Sequence, residues 1–352
     1  MNDAAEPLSR EWLRAMPKAE LHVHLDGSLR PATMLELAGE RGVPMPASQA
    51  SELSEYMLVS DAASLEEYLE RFSVTLSVMQ DAEALERIAY ECVTDHAAEG
   101  VTYAEVRFCP LLNCARGMTP DGVLDAALRG LRRAEEDAKE TRTPIRARLI
   151  VCALRSHAPS ETLAMAELAV AYQRRGVVAF DLAGPEDGFP VRDHREAFDH
   201  AHRAELPITI HAGEGFGAPS IHEALDIGHA RRIGHGTRLY EDRILLDRVR
   251  DERILLEICL TSNVQTRVVD RMEQHPARRY QMAGVPITLS TDNRLMSGVD
   301  LTDEFAHAVD AFSLVQADVL QIARAGFEHA FVEDIERADM LDAFDAWAEA
   351  SP

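Results

Sequence analysis

At 352 residues, 46% of them apolar, the chain is long enough for one large barrel or two ordinary domains. Its formal net charge of −24 is spread along helices and argues against nucleic acid or an anionic membrane as the main partner. No run approaches the roughly 18 apolar residues of a membrane span, and Asp3, Glu6 and Glu11 do not fit a signal peptide, so a cytoplasmic globular protein is expected.

In chain order, the first predicted strand covers 18–25 and carries Glu20-Leu-His22-Val-His24-Leu-Asp26. Side chains alternate along a strand, so His22 and His24 share a face. The gap to the second strand, 102–108, is about 75 residues, several times an ordinary connection. It reads as a helical insertion over about 30–98. Within it, Ser64 and Glu67 form a capping box ahead of Leu65, Tyr68, Leu69, Phe72 and Leu76 on one helical face. That helix is read as a lid beside the barrel mouth or as a stripe packed on the barrel. A second helix follows at Asp81–Ala98, with Leu85, Ile88, Ala89, Cys92 and Val93 on one side and Gly100 ending it.

Strands are predicted next at 146–153 and 177–183, the latter followed by Gly184, which offers its backbone to a ligand or turns the chain. The run 206–211 ends on His211-Ala-Gly-Glu214, and Ser220 with Glu223 suggests a capping box for the next helix. The run 231–235 ends on His235-Gly, 254–259 follows, and 285–291 stops on Asp292. Residues 300–352 read as helices packed on the outside. Eight alternating units, without repeat or linker, predict an α/β protein, a (β/α)₈ TIM-type barrel in a single domain over 1–352. Cys92, Cys109, Cys114, Cys152 and Cys259 are odd in number and lack Cys-x-x-Cys, so reduced thiols are expected.

Parallel barrel strands that end together bring His22, His24, His211 and Asp292 to one mouth, a nitrogen-and-carboxylate set suited to zinc. Glu214 is positioned to act as an acid in such a pocket, or to serve as a helix-terminal carboxylate. His235, between glycines, is a ligand or a base holding a water. His222, His229, His275, His307 and His329 read as surface residues. No Gly-x-Ser-x-Gly elbow, phosphate loop, dinucleotide fingerprint or cysteine-liganded deaminase signature is present.

The segments ELHVHLDGS (20–28), FDLAG (180–184), HAGE (211–214), RIGHG (232–236), CLTSNVQ (259–265) and STD (290–292) resemble the adenosine deaminase family of metal-dependent amidohydrolases, in matching order from about residue 17 to 295. The resemblance implies one zinc ion per chain on His22, His24, His211 and Asp292. It implies that His235 orients the attacking hydroxide, that Glu214 protonates ring nitrogen 1, that the Gly184 amide meets ring nitrogen 3 and that Asp26 faces the ribose 5′-hydroxyl. The implied reaction is hydrolytic deamination of adenosine and 2′-deoxyadenosine to the inosines and ammonia, with purine salvage as the default role. The implied partner is thus a small purine nucleoside. Two positions depart from the family: Asn293 replaces a second aspartate that contacts purine nitrogen 7, and Leu111-Leu-Asn113 stands where members often carry histidine. The rival readings are the same chemistry on adenine or on a 5′-modified nucleoside such as aminodeoxyfutalosine, a purine-binding protein without turnover, and a binuclear hydrolase. The last needs a bridging lysine or carboxylate at the end of the fourth strand, where only Asp181 is a weak substitute.

Overall fold

A computed structural model describes residues 8–59, 71–141 and 143–351. After a short helix α1 (Arg10–Ala15) comes strand β1 (Lys18–His24), then α2 (Pro31–Arg41), α3 (Ala50–Met57), α4 (Phe72–Val78) and α5 (Ala82–Ala97). Strands β2 (Val101–Phe108), β3 (Arg146–Leu154) and β4 (Val177–Ala183) follow, separated by α6 (Pro120–Ala138) and α7 (Pro159–Tyr172). The second half runs α8 (Arg195–Arg203), β5 (Thr209–Ala212), α9 (Ala218–Asp226), β6 (Arg232–His235), α10 (Arg243–Asp251), β7 (Leu255–Ile258), α11 (Leu260–Gln265), α12 (Ala277–Met282) and β8 (Ile287–Leu289). Helices α13 (Arg294–Ser297), α14 (Leu301–Phe312), α15 (Gln316–Glu328) and α16 (Asp334–Ala350) complete it.

All pairings are parallel, in the orders β1-β2-β3-β4 and β5-β6-β7-β8. Single parallel bridges, Phe180 with Ile208 and Val23 with Asp292, join the two sheets at both edges. The second is held by His24 N–H donating to the Asp292 carbonyl (2.7 Å) and Asp292 N–H to that of His22 (2.9 Å). The ring of eight strands is the expected (β/α)₈ arrangement, and its strands are buried on both sides, as parallel sheets require.

Helix α5 shows how the local sequence acts. Asp81 caps it by accepting from Ala84 N–H (3.0 Å), and Leu85, Ile88, Ala89, Cys92 and Val93 are its buried face, as predicted. Helix α9 starts earlier than expected, with Gly217 as its cap. Ser220 therefore sits inside the first turn and caps nothing, while Glu223 pairs with Arg192. The C-terminal segment does more than cover the outside. A Cβ on Gly326 would meet Ala19 Cβ at 3.1 Å and Thr288 Oγ1 at 3.0 Å, a tight fit, so glycine eases the close approach of α15 to the N-terminal ends of β1 and β8. Phe331 then seals the same end, its N–H bonded to Glu105 (2.7 Å) and its ring 3.6 Å beneath the Arg232 guanidinium.

The proposed capping box Ser64–Glu67 and the face from Leu65 to Leu69 lie outside the described residues, while Phe72 and Leu76 belong to α4. All five cysteines are free thiols. Among the described residues, no helix is long and apolar enough to cross a membrane.

Candidate active site

The barrel interior is charged. Arg107, Arg232, Glu105, Glu257 and Asp181 are wholly buried, and opposite charges are paired throughout. Arg107 forks between Asp181 (3.0 Å) and Glu257 (2.9 Å), and Arg232 joins Glu257 (2.7 Å) to Glu105. Burying charge is tolerable only with this degree of satisfaction.

This layer orients the histidines above it. Glu257 accepts from His22 Nδ1 (2.8 Å) and Asp181 from His211 Nδ1 (3.1 Å). Each ring thereby keeps its proton on Nδ1 and turns the lone pair of Nε2 upward, as carboxylates do behind metal-binding imidazoles. Asp181 lies behind the His211 ring, so it does not bridge two ions. Neither Glu257 nor Arg107 was singled out by sequence reasoning. The available signal was a charge inside an otherwise apolar parallel strand, in Leu255-Leu-Glu-Ile258 and Val106-Arg-Phe108.

The free nitrogens converge. One donor atom from each of His22, His211, His235 and Asp292 falls within a 4.8 Å span. His24 completes the group, with Nε2 3.1 Å from His211 Nε2 and 3.4 Å from Asp292 Oδ1. All four residues expected as ligands are thus brought together, with His235 beside them. Gly234 allows the approach, since a Cβ there would lie 2.9 Å from His22 Cε1 and 3.2 Å from His211 Cα. His235 (φ 62°) and Asp292 (φ 58°) both adopt left-handed backbone, a cost of about 1–3 kcal/mol each that concentrates at working sites. The donor set fits a divalent cation. His22 Nε2 is buried without a hydrogen-bond partner, two imidazole nitrogens face one another, and the Asp292 carboxylate stands among them.

The short helix α11, after β7, braces the far side. Ser262 donates to Asp292 Oδ2 (2.6 Å), and Asn263 Nδ2 meets His235 Nδ1 (3.0 Å). His275, read from sequence as a surface residue, is buried and reaches Asn263 Oδ1 (3.1 Å). The other four are partly exposed, and three pair with side chains: His222 with Asp242, His229 with Asp199, His307 with Thr261.

Glu214 lies just past β5, buried, with Oε2 3.4 Å from His235 Nε2. Burial, then the carboxylates of Asp292 and Glu186, hold its pKa well above the ordinary range, so the neutral acid is favoured. Its loop is fixed by Glu186, which accepts from the N–H groups of Gly213 (2.9 Å), Glu214 (2.8 Å) and Gly215 (2.7 Å). Arg155 holds the same strand end through the His211 carbonyl (2.6 Å). Both are further residues that sequence reasoning missed.

A cavity of ≈ 350 Å³ opens onto these groups. Phe72, Leu76, Leu112, Leu154 and Pro185 form its apolar wall, and Asp26, Gly184 and Asn293 also face it. Among the described residues no lysine or arginine lines it. The Oδ1 atoms of Asp26 and Asn293 are both buried without a partner, and burial pushes the Asp26 carboxyl up to about 7. Asn293 packs so tightly on Gly27 that a Cβ there would fall 1.9 Å from Asn293 Oδ1.

A family model described as adenosine deaminase matches residues 17–347. Proteins named adenosine deaminase from Mycobacterium ulcerans and Mycobacterium avium are each 42% identical, over 343 and 353 residues, covering 94% and 96% of this chain and the same shares of their own. Among solved structures, an adenine deaminase from Arthrobacter aurescens superposes with a TM-score of 0.88 at 27% identity, over 95% of this chain and all of that one. An amidohydrolase from Burkholderia ambifaria, solved with bound zinc, gives 0.87 at 25% identity over 99% of this chain and 95% of its own. An N6-methyl-AMP deaminase from Arabidopsis thaliana gives 0.85 at 29%, covering 97% of this chain and 100% of that one. Strand order, the buried histidine and aspartate cluster and these matches agree: the chain belongs to the adenosine deaminase family, hydrolases that act on C–N bonds.

Proposed function

We propose that the chain hydrolyses the 6-amino group of adenosine and 2′-deoxyadenosine, yielding the 6-oxo nucleoside and ammonia, with one zinc ion held by His22, His24, His211 and Asp292. When bound there, zinc supplies Lewis acidity, lowering the pKa of water to about 7 and making a nucleophile available at neutral pH. The protein's own part is to place the reacting groups. His235 orients the attacking water toward ring carbon 6. Glu214, neutral beside the ring, delivers its proton to ring nitrogen 1 as negative charge develops there. The Gly184 N–H meets ring nitrogen 3, and the Asn293 amide donates to nitrogen 7. Asp26 receives the ribose 5′-hydroxyl.

The observation that carries this reading is the buried Glu214 acid 3.4 Å from His235, facing the same cavity as the metal-compatible cluster. A binding protein has no need of an acid at that place. Asp26 favours a nucleoside over free adenine, because its buried Oδ1 lacks a partner that a ribose hydroxyl supplies. The lack of a lysine or arginine among the described lining residues favours an uncharged 5′ end over a nucleotide. A panel of adenine, adenosine, 2′-deoxyadenosine, AMP and 5′-extended nucleosides, read by ammonia release, tests the proposal. Adenosine and its deoxy form are expected to give the highest kcat/KM. A preference for adenine or AMP would refute the substrate assignment and leave the hydrolytic chemistry standing.

A further inference from the structure

We infer that Asn263 and His275 are positioning residues that fix the proton of His235 on Nε2, making it a hydrogen-bond donor toward the reaction centre and not a lone-pair ligand. The inference follows the donors and acceptors from the outside inward. The Ala277 N–H, at the start of α12, donates to His275 Nδ1 (3.1 Å). A ring nitrogen that accepts carries no proton, so in the neutral ring the proton is on Nε2. Burial holds the His275 pKa down to about 3, which keeps the ring neutral at any physiological pH.

His275 Nε2 therefore donates to Asn263 Oδ1 (3.1 Å), and the Thr237 hydroxyl donates to the same oxygen (2.8 Å). Two donors on one side determine which way the amide points. Asn263 must then turn its NH₂ group to His235 Nδ1 (3.0 Å), which accepts. The remaining proton of a neutral His235 sits on Nε2, 3.4 Å from Glu214 Oε2. His22 and His211 are set the opposite way: carboxylates accept from their Nδ1–H groups, which keep their protons, and leave Nε2 with the lone pair. One cluster thus contains histidines of both tautomers, assigned by what stands behind each ring. This explains why His235 can lie within reach of the other donors and still leave the fourth ligand position to His24.

The turnover part of the argument rests on the role proposed above for His235, whereas the tautomer does not. The test is ¹⁵N NMR of the zinc-loaded full chain with ring-labelled histidine, the His235 signal being assigned by its loss in His235→Gln. Wild type is expected to show Nδ1 unprotonated and Nε2 protonated. In Asn263→Asp the carboxylate accepts from Nδ1, and the proton is expected to move to Nδ1. For that variant kcat is expected to fall about 100-fold with KM for adenosine changed less than about threefold, the cost of a misaligned reacting group. Wild-type His235 protonated on Nδ1 would overturn the inference, as would an Asn263→Asp spectrum identical to wild type. The wild-type spectrum decides even if the variant fails to fold, and a wild-type protein with the expected spectrum but no deaminase activity would refute only the proposed function.

Discussion

At the residue scale, chemistry here is set by what each group is denied. Glu214 is buried with the carboxylates of Asp292 and Glu186 for neighbours, and burial first, then those charges, hold its pKa well above that of an exposed glutamate. Glu214→Gln keeps the shape and removes the transferable proton. Turnover is expected to fall by at least about 100-fold with metal content unchanged, measured by ammonia release and metal analysis on the same sample; loss of metal instead would make Glu214 a structural residue. Asn293 is one of the two positions read from the sequence as departing from the pattern of the family that the chain resembles. Asn293→Asp exchanges an amide that always donates for a carboxyl that donates only when protonated, and the ranking among adenosine, deoxyadenosine and adenine is expected to change. An unchanged ranking would mean that Asn293 does not meet the base.

At the scale of elements, the site depends on connections that cross the barrel. Glu304, on α14, accepts from the Leu260 (2.9 Å) and Thr261 (3.2 Å) N–H groups at the start of α11, the helix that carries Ser262 and Asn263. Burial pushes its pKa up to about 8, whereas an unfolded glutamate titrates near 4.3. Between these values the folded chain holds a proton that the unfolded chain has lost. The Glu304 contribution to stability is therefore complete below about pH 4 and declines as pH rises toward 8. Glu304→Gln cannot titrate, so the stability of the variant relative to wild type is expected to rise across that window in urea unfolding; a constant difference would show that Glu304 is ionised in the fold. The Arg107 fork joins β2 to β4 and β7. Arg107→Met leaves Asp181 and Glu257 buried with their charges less satisfied, and a loss of about 3–5 kcal/mol is expected by the same method. A loss below about 1 kcal/mol would show that the pairing contributes little.

At the scale of the whole molecule, the parts legible in the sequence were those carried by local order. Strand periodicity and the carboxylate or imidazole that ends a run were enough to predict eight strands within a few residues and to bring His22, His24, His211 and Asp292 to one mouth. What stood behind them was not legible, because it depends on which strands are neighbours. Glu257 is one charge in an apolar run until register brings Gly234 beside it and the His22 ring over that glycine. His275 reads as a surface histidine because its partner, Asn263, comes from another element, and nothing local marks it as buried. The C-terminal helices were predicted, but their closure of the barrel floor rests on one glycine and one phenylalanine, Gly326 and Phe331, that no periodicity marks.

The central claim is that segments far apart in the chain meet around a single divalent cation, without which the water is a poor nucleophile. Exhaustive chelation followed by an adenosine ammonia-release assay tests it most directly. The account predicts that metal-free protein loses turnover and that activity returns in proportion to added zinc, reaching its maximum at one equivalent per chain. Full turnover by protein shown to contain no metal would contradict it.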